Sequence, residues 1–263
     1  MCMKVVLLAG GLGTRISEES HLKPKPMIEI GKYPILVHIM RIYAAQGFDD
    51  FLVCAGYKQQ VIKEYFAHFD MYTNDVTFDF STGDRIIHNK PKFGWKVTVS
   101  DTGLYTQTGG RLLRAKEYIG NDTFLLTYGD AVGNIDINAA IESHKKSKKL
   151  CTICVYNFGQ NKGVVDINRN GLVREFREKS DEDGDLINIG YMVCEPGILK
   201  YIKGPNCSLE KDVLPRLAAD HQLNSYLHHG FWQCMDTLRE KVLLEELDAQ
   251  PDAPWKVWKK QEQ

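Results

Sequence analysis

Between residues 10 and 25 the chain sets three glycines, Gly10, Gly11 and Gly13, ahead of Thr14 and Arg15, and follows them with Lys23 and Lys25 in a Lys-Pro-Lys-Pro-Met run. Glycine tolerates positive φ and lets backbone N–H groups approach a ligand. Successive N–H groups of this kind form an anion-binding concavity. With three cations close by, the stretch suggests a cradle for a polyphosphate. Two familiar phosphate loops fail here. A Walker A loop needs Gly-Lys-Ser/Thr, which is missing, and a Rossmann fingerprint counted from Gly11 puts Ile16 at its third glycine. The plain alternative is a glycine turn beside a basic surface patch. It accounts for Gly-Gly-x-Gly but not for Thr14-Arg15 and Lys-Pro-Lys-Pro-Met as well. Further on, Asp130 follows Thr127-Tyr128-Gly129, where a carboxylate at a strand end suits a hard cation such as Mg²⁺.

The elements that must position these groups show the grammar of an α/β protein. Val5 to Ala9 is a short apolar run, as in a buried parallel strand, and leads straight into the glycines. Pro34 opens a helical pattern that runs through Gly47. Asp50–Ala55 is a second buried strand, Gly56-Tyr57-Lys58 a turn, and Gln59–Phe69 an amphipathic helix. Strand–helix–strand–helix predicts a Rossmann-like mixed, mainly parallel sheet flanked by helices. Residues 70–108 depart from that rhythm and predict a β excursion that covers the site or contacts another subunit. Asp122–Tyr128 is the expected central strand. Ligands in open α/β sheets bind off such strand ends, where Gly129-Asp130 lies. Helices are expected at 112–119, 137–148, 210–219 and, clearly amphipathic, 237–248, with strands at 150–156 and 187–194. Short strands at 164–167 and 173–177 around Asn170-Gly171 predict a hairpin. The acidic loop 181–185 is expected to be a solvated turn, and the last fifteen residues, with Trp255 and Trp258, a tail that packs on something.

Composition narrows the field. The chain has 263 residues and a net charge of −1, so a general nucleic-acid binder is not expected. No eighteen-residue apolar run predicts a membrane span, and no leader-like segment precedes the glycines. Seven cysteines are scattered along the chain. The pair Cys151-x-x-Cys154 lies in a strand-like run, where side chains three apart face opposite ways. Core packing in a reducing cytoplasmic setting is the expectation.

The loop, the Lys-Pro-Lys-Pro-Met run and further segments together resemble the sugar-1-phosphate nucleotidyltransferases, most of all their branch that joins CTP to glucose 1-phosphate. Those segments include Gly56-Tyr57-Lys58, Thr108-Gly109-Gly110-Arg111, Thr127-Tyr128-Gly129-Asp130, His229-Gly230-Phe231-Trp232-Gln233 and Met235-Asp236-Thr237-Leu238-Arg239. The likeness spans nearly the whole chain as one nucleotidyltransferase domain, and is patchy between about 157 and 227. It implies CTP, Mg²⁺, a phosphorylated small-molecule acceptor and a homo-oligomer.

The resemblance also implies residue roles. Arg15, Lys25 and Arg111 face the reacting phosphates. Leu8, Ala9, Gly10, Gly11, Gly13, Thr14, Lys58, Thr108 and Gly109 surround the nucleotide. Asp130 and Asp236 hold the metal, although Asp236 also stands where a helix N-cap would. Lys179, Asn188 and Gly190 take the acceptor. The acceptor side departs from the branch. Glu178-Lys179 is followed by Ser180 where the family has proline, Gln160-Asn161-Lys162-Gly163 replaces an Arg-Phe-Gly segment, and Ile189 replaces a glycine. Leu209-Glu-Lys-Asp instead resembles heptose- and mannose-phosphate enzymes, so a different acceptor or another NTP stays open. A catalytically silent nucleotide sensor is the rival of another class.

Overall fold

In the computed structural model, residues 3–16, 21–88, 93–157, 164–167, 173–177 and 186–260 are described, without the side chains of Arg15 and of residues 164–167, 173–177, 259 and 260. A seven-stranded sheet organises them. Its order is Leu223–His228, Cys151–Asn157, Leu186–Cys194, Phe124–Tyr128, Val5–Ala9, Asp50–Ala55 and Lys96–Asp101. Val5–Ala9 pairs in parallel with both Asp50–Ala55 and Phe124–Tyr128. Asp50–Ala55 pairs in parallel with Lys96–Asp101, and Cys151–Asn157 with Leu223–His228. Only Leu186–Cys194 runs against its neighbours. The sheet is thus mixed and mainly parallel, with Phe124–Tyr128 at its centre.

Both faces are covered, which is why the strands are continuously apolar. Val5, Leu7 and Ala9 face one core with the helix Ile35–Ala44, and Val6 and Leu8 face the other with Leu112, Leu214 and Leu217. Cys151 and Cys154 are buried in opposite cores, in accord with strand alternation. In the second core the Cys151 and Cys194 thiols lie 3.7 Å apart, directly across the strand pair.

The 70–108 segment divides. Val76–Asp79 and Asp84–Ile87 form a hairpin of their own, while Lys96–Asp101 is the edge of the main sheet. Val164–Ile167 pairs with Val173–Arg177 as expected of a hairpin; its turn and the acidic loop lie outside the described residues. The helix expected at 210–219 begins with a π-turn at Leu209–Val213, and Leu214–Ala219 continues it, with Pro215 at the start of the α-helical part. The last long helix, Leu238–Asp248, is less amphipathic than its pattern promised. Leu244 is its buried residue, and Leu238, Val242 and Leu243 are exposed. The tail packs on its own chain. Trp255 is fully buried, its indole N–H donates to His38 Nδ1 at 3.3 Å, and Arg41 lies over the Trp258 ring at 4.2 Å. Those tryptophans are therefore not available as subunit contacts.

Candidate active site

Parallel pairing in register sends several chain ends to one edge of the sheet. Ala9 lies beside Ala55, Leu8 beside Tyr128, and Ala55 beside Asp101. The loops that start at Gly10, Gly56, Thr102 and Gly129 therefore emerge together. The antiparallel strand brings its opposite end, Asn188 to Gly190, to the same edge, because Tyr191 pairs with Thr127.

A cavity of about 310 Å³ opens under the glycine loop. Leu8, Ala9, Gly10, Gly11, Gly13 and Thr14 form one side, and Thr106, Gln107, Thr108, Tyr128 and Asp130 the other. Gly13 has φ +67, a conformation that suits glycine, and a 3₁₀ turn at Thr14–Ile16 follows it. Arg15 belongs to that turn, but its side chain lies outside the described residues, as does Lys179 entirely.

Arg111 lines this cavity too, with its guanidinium buried beneath the loop and donating to oxygens of the protein. It bonds Gly10 O at 2.8 Å, Gly103 O at 2.8 Å and Thr102 Oγ1 at 2.9 Å, with longer contacts to the Ala55 and Leu104 carbonyls. A Cβ on Gly10 would come within 2.1 Å of it, so the glycine loop lies directly on the guanidinium. Arg111 thus ties three loops together. Burial lowers its pKa most, and the neighbouring Cys54 and Asp101 only partly offset this.

Two nucleotide expectations move. Lys58 takes a left-handed conformation at the start of its helix and its ammonium donates to the His21 carbonyl, away from the cavity wall. Gly109 is buried against the Cys207 carbonyl, where a Cβ would come within 2.8 Å, so it seats a helix and does not line the cavity.

Lys25 sits in a 3₁₀ turn between Pro24 and Pro26, nearly buried. Its ammonium donates to Asp130 Oδ2 at 2.6 Å and to Asp236 Oδ1 at 2.5 Å. Three separate features bring these groups together. Gly129 leaves room for Pro26, whose ring would lie 3.1 Å from a Cβ there. Ala131–Gly133 pairs with Trp232–Cys234, and the Met235 N–H donates to the Asp130 carbonyl at 2.9 Å. The helix after Asp236 is capped by Thr237 in a reciprocal capping box with Glu240, so the Asp236 carboxylate is not spent as a cap. Asp130 likewise escapes the cap of the next helix, which falls to Asp136. Burial alone would lower the Lys25 pKa, but the charges and hydrogen bonds of both aspartates outweigh it and hold it above its ordinary 10.5.

A second cavity, of about 590 Å³, adjoins the first and shares Tyr128 and Asp130 with it. Asn188, Ile189, Glu210, Leu214 and Trp232 form its wall, with Asp236 at the junction. Asn188 lines it, and its Oδ1 accepts from the Gly190 N–H at 3.0 Å. Gly190, expected to touch the acceptor, has φ +81 and seats the Tyr128 ring, whose Cδ2 would be 2.3 Å from a Cβ; it does not line the cavity. Ile189 is in the wall, and its carbonyl accepts from the Trp232 indole at 3.1 Å. Tyr128, Glu210 and Trp232 had been seen only as parts of elements or motifs. Their role at the site depends on the pairing of strands, which no local pattern encodes.

Among the described residues no group of three or more His, Cys, Asp or Glu gathers as a metal site. Two acids are nevertheless a fitting donor set for Mg²⁺, which takes one or two carboxylates and completes its shell with water and substrate phosphate. The oxygens of Asp130 and Asp236 that converge on one ammonium show that the pair can face a single cation.

A bare-amide loop, a lysine shared by two acids and a second cavity beyond them is an arrangement able to hold two phosphorylated reactants side by side. The comparisons agree with it. Glucose-1-phosphate cytidylyltransferase of Salmonella typhimurium is 48% identical over 257 residues, covering 97% of this chain and 100% of that protein. The protein of that name from Salmonella typhi is 47% identical with the same coverage. The crystal structure of HddC from Yersinia pseudotuberculosis shares the fold, with a TM-score of 0.66 at 23% identity, covering 93% of this chain and 98% of that one. The family model described as nucleotidyl transferase matches residues 4–240, nearly the whole span from the first strand to the helix after Asp236. This chain belongs to the nucleotidyl transferase family.

Proposed function

We propose that this protein transfers CMP from CTP to glucose 1-phosphate, giving CDP-glucose and pyrophosphate. The supporting observation is the position of Lys25, bound to Asp130 and Asp236 where the glycine-loop cavity meets the second one. In this reading the triphosphate lies under Gly10–Thr14 and the acceptor fills the cavity beside Asn188 and Trp232. An oxygen of the acceptor phosphate forms a bond to the α-phosphorus of CTP as the bond to the bridging oxygen of pyrophosphate breaks. That oxygen is already ionised, so no side-chain base is needed.

The obstacle is repulsion between anions. Two unit charges 4 Å apart repel by about 1 kcal/mol in water and ~4 kcal/mol at an effective dielectric of 20. The chain's contribution is to orient both reactants and to place cationic and N–H groups where charge shifts. Lys25 is already oriented by its two acids, and Arg111 holds the loop amides in place from beneath. Asp130 and Asp236 are the residues that would hold Mg²⁺, which when bound supplies further charge neutralisation at the phosphates. Arg15 and Lys179 belong to this proposal as phosphate contacts on the strength of the family likeness alone. A homo-oligomer goes with the same reading, supported by the exposed Phe78, Phe80 and Ile86 on the 76–87 hairpin. No helix among the described residues is long and apolar enough to cross a membrane.

The test is pyrophosphate release with CTP, Mg²⁺ and a panel of phosphate monoesters, repeated with UTP, GTP and ATP. Release is expected to be fastest with CTP and glucose 1-phosphate. Silence across the panel, with CTP still bound, would replace this reading with that of a nucleotide sensor. Faster turnover of another monoester would reassign the acceptor.

A further inference from the structure

Away from its junction with the donor side, the wall of the second cavity offers Asn188, the apolar faces of Ile189, Leu214 and Trp232, and one carboxylate, Glu210. No lysine or arginine among the described residues lines it. The Glu210 carboxylate is held in place by three hydroxyls. The Tyr128 hydroxyl donates to one oxygen. Thr108 Oγ1 and Ser208 Oγ each donate to the other at 2.7 Å. The donors are themselves oriented, because Thr108 Oγ1 accepts the Leu209 N–H at 2.8 Å and Ser208 Oγ that of Lys211 at 3.2 Å. Tyr128 in turn is seated by Gly190.

A carboxylate fixed in this way cannot swing out to water when a like charge approaches. Partial burial disfavours its charge, yet the hydroxyl donors outweigh this and hold its pKa below the ordinary value, so it is an anion at neutral pH. An anionic wall accepts hydrogen bonds from the hydroxyls of a neutral sugar. It offers a second carboxylate only repulsion, and no described cation in the wall relieves it. Specificity of this sort comes from penalising the wrong partner.

We propose that Glu210 is a specificity-determining residue that admits acceptors with a neutral, hydroxylated body and rejects those carrying a further acidic group, such as a sugar acid 1-phosphate. The proposal rests on the cytidylyl-transfer reading above.

The experiment compares kcat/KM for glucose 1-phosphate and glucuronic acid 1-phosphate, with CTP and Mg²⁺, in the wild type, Glu210→Gln and Glu210→Asp. Wild type should favour glucose 1-phosphate by about 100-fold or more, given the size of like-charge penalties at interfaces. Glu210→Gln should narrow that ratio about tenfold or more, chiefly through the KM of the acid, and Glu210→Asp should keep the wild-type preference. Repulsion is screened by salt, so the wild-type ratio should also narrow as ionic strength rises. An unchanged ratio in Glu210→Gln, or equal use of both acceptors by wild type, overturns the proposal. If Glu210→Gln does not fold, the wild-type comparison decides, and equal use of both acceptors overturns it. Absence of pyrophosphate release from glucose 1-phosphate in wild type is a separate result, which overturns the functional reading and this proposal with it.

Discussion

Replacing Lys25 by methionine removes the one ammonium that Asp130 and Asp236 share while keeping most of the side chain's volume. The Lys25 side chain is 11% exposed and the two aspartates 30% and 22%, so the cluster lies between a surface pair and a buried one. Exposed pairs contribute about 0–1 kcal/mol, and removing one partner of a buried pair costs about 3–5 kcal/mol. An intermediate loss of about 2–3 kcal/mol follows, which for a chain of this size lowers Tm by roughly 5–10 °C. Because the folded pKa of Lys25 lies above 10.5, the ammonium's contribution is complete below that pH and is lost as pH rises through the folded value. The stability gap between wild type and Lys25→Met should therefore narrow in strong alkali. Turnover should fall about 10²–10³-fold, the usual cost of removing a preorganised charge at a phosphate. Mg²⁺ should raise the variant's Tm more than the wild type's, since two acids deprived of the Lys25 ammonium gain more from a cation, without restoring turnover. Thermal unfolding with and without Mg²⁺ and a pyrophosphate-release assay check this. Wild-type turnover, or a variant equally stable at neutral pH, would refute the argument.

Asp130→Asn should reduce turnover about 100-fold or more while Tm stays close to wild type, since Lys25 keeps Asp236; near-normal rates would count against Asp130 as a metal ligand. Arg111→Lys cannot span Gly10, Thr102 and Gly103 with a fork, so CTP affinity should fall about tenfold with a stability loss of roughly 1–3 kcal/mol, measured by titration and unfolding. His38 is buried with its pKa lowered by that burial, so its contribution is present above its unfolded value of 6.5 and lost as pH falls toward the folded one. His38→Gln should flatten the decline of Tm between about pH 7 and 5, and an unaltered slope would exclude His38 as its source.

Much of the site was legible because its parts are local. The glycine loop, Lys-Pro-Lys-Pro-Met and Tyr-Gly-Asp each lie within a few residues of a strand end, where pattern and chemistry coincide. What joins them was not legible. Asp236 reaches Asp130 through a three-residue ladder between Trp232–Cys234 and Ala131–Gly133, too short to leave a periodic mark. The bonds that Arg111 makes beneath the loop were not legible either, because they depend on how deeply its helix sits: Gly110 lets the Pro205 backbone approach where a Cβ would be 2.2 Å from its carbonyl oxygen. Glu210 looked like a helical residue, and its partners Tyr128 and Thr108 are 82 and 102 positions away. The final helix was overrated because spacing alone does not reveal which of its apolar side chains find a neighbour.

The tail shapes the order of assembly. His38 and Trp255 meet across 217 positions, and Lys25 and Asp236 across 211. Closing such wide loops forfeits chain entropy before any contact repays it, which slows folding. A nascent chain emerging from its N-terminus therefore carries the lysine long before its second acid exists, and the Trp255 indole that closes over His38 arrives later still. The junction of Lys25 with Asp236 is among the last things this chain can complete, so premature termination anywhere ahead of the tail leaves a core with its seam open.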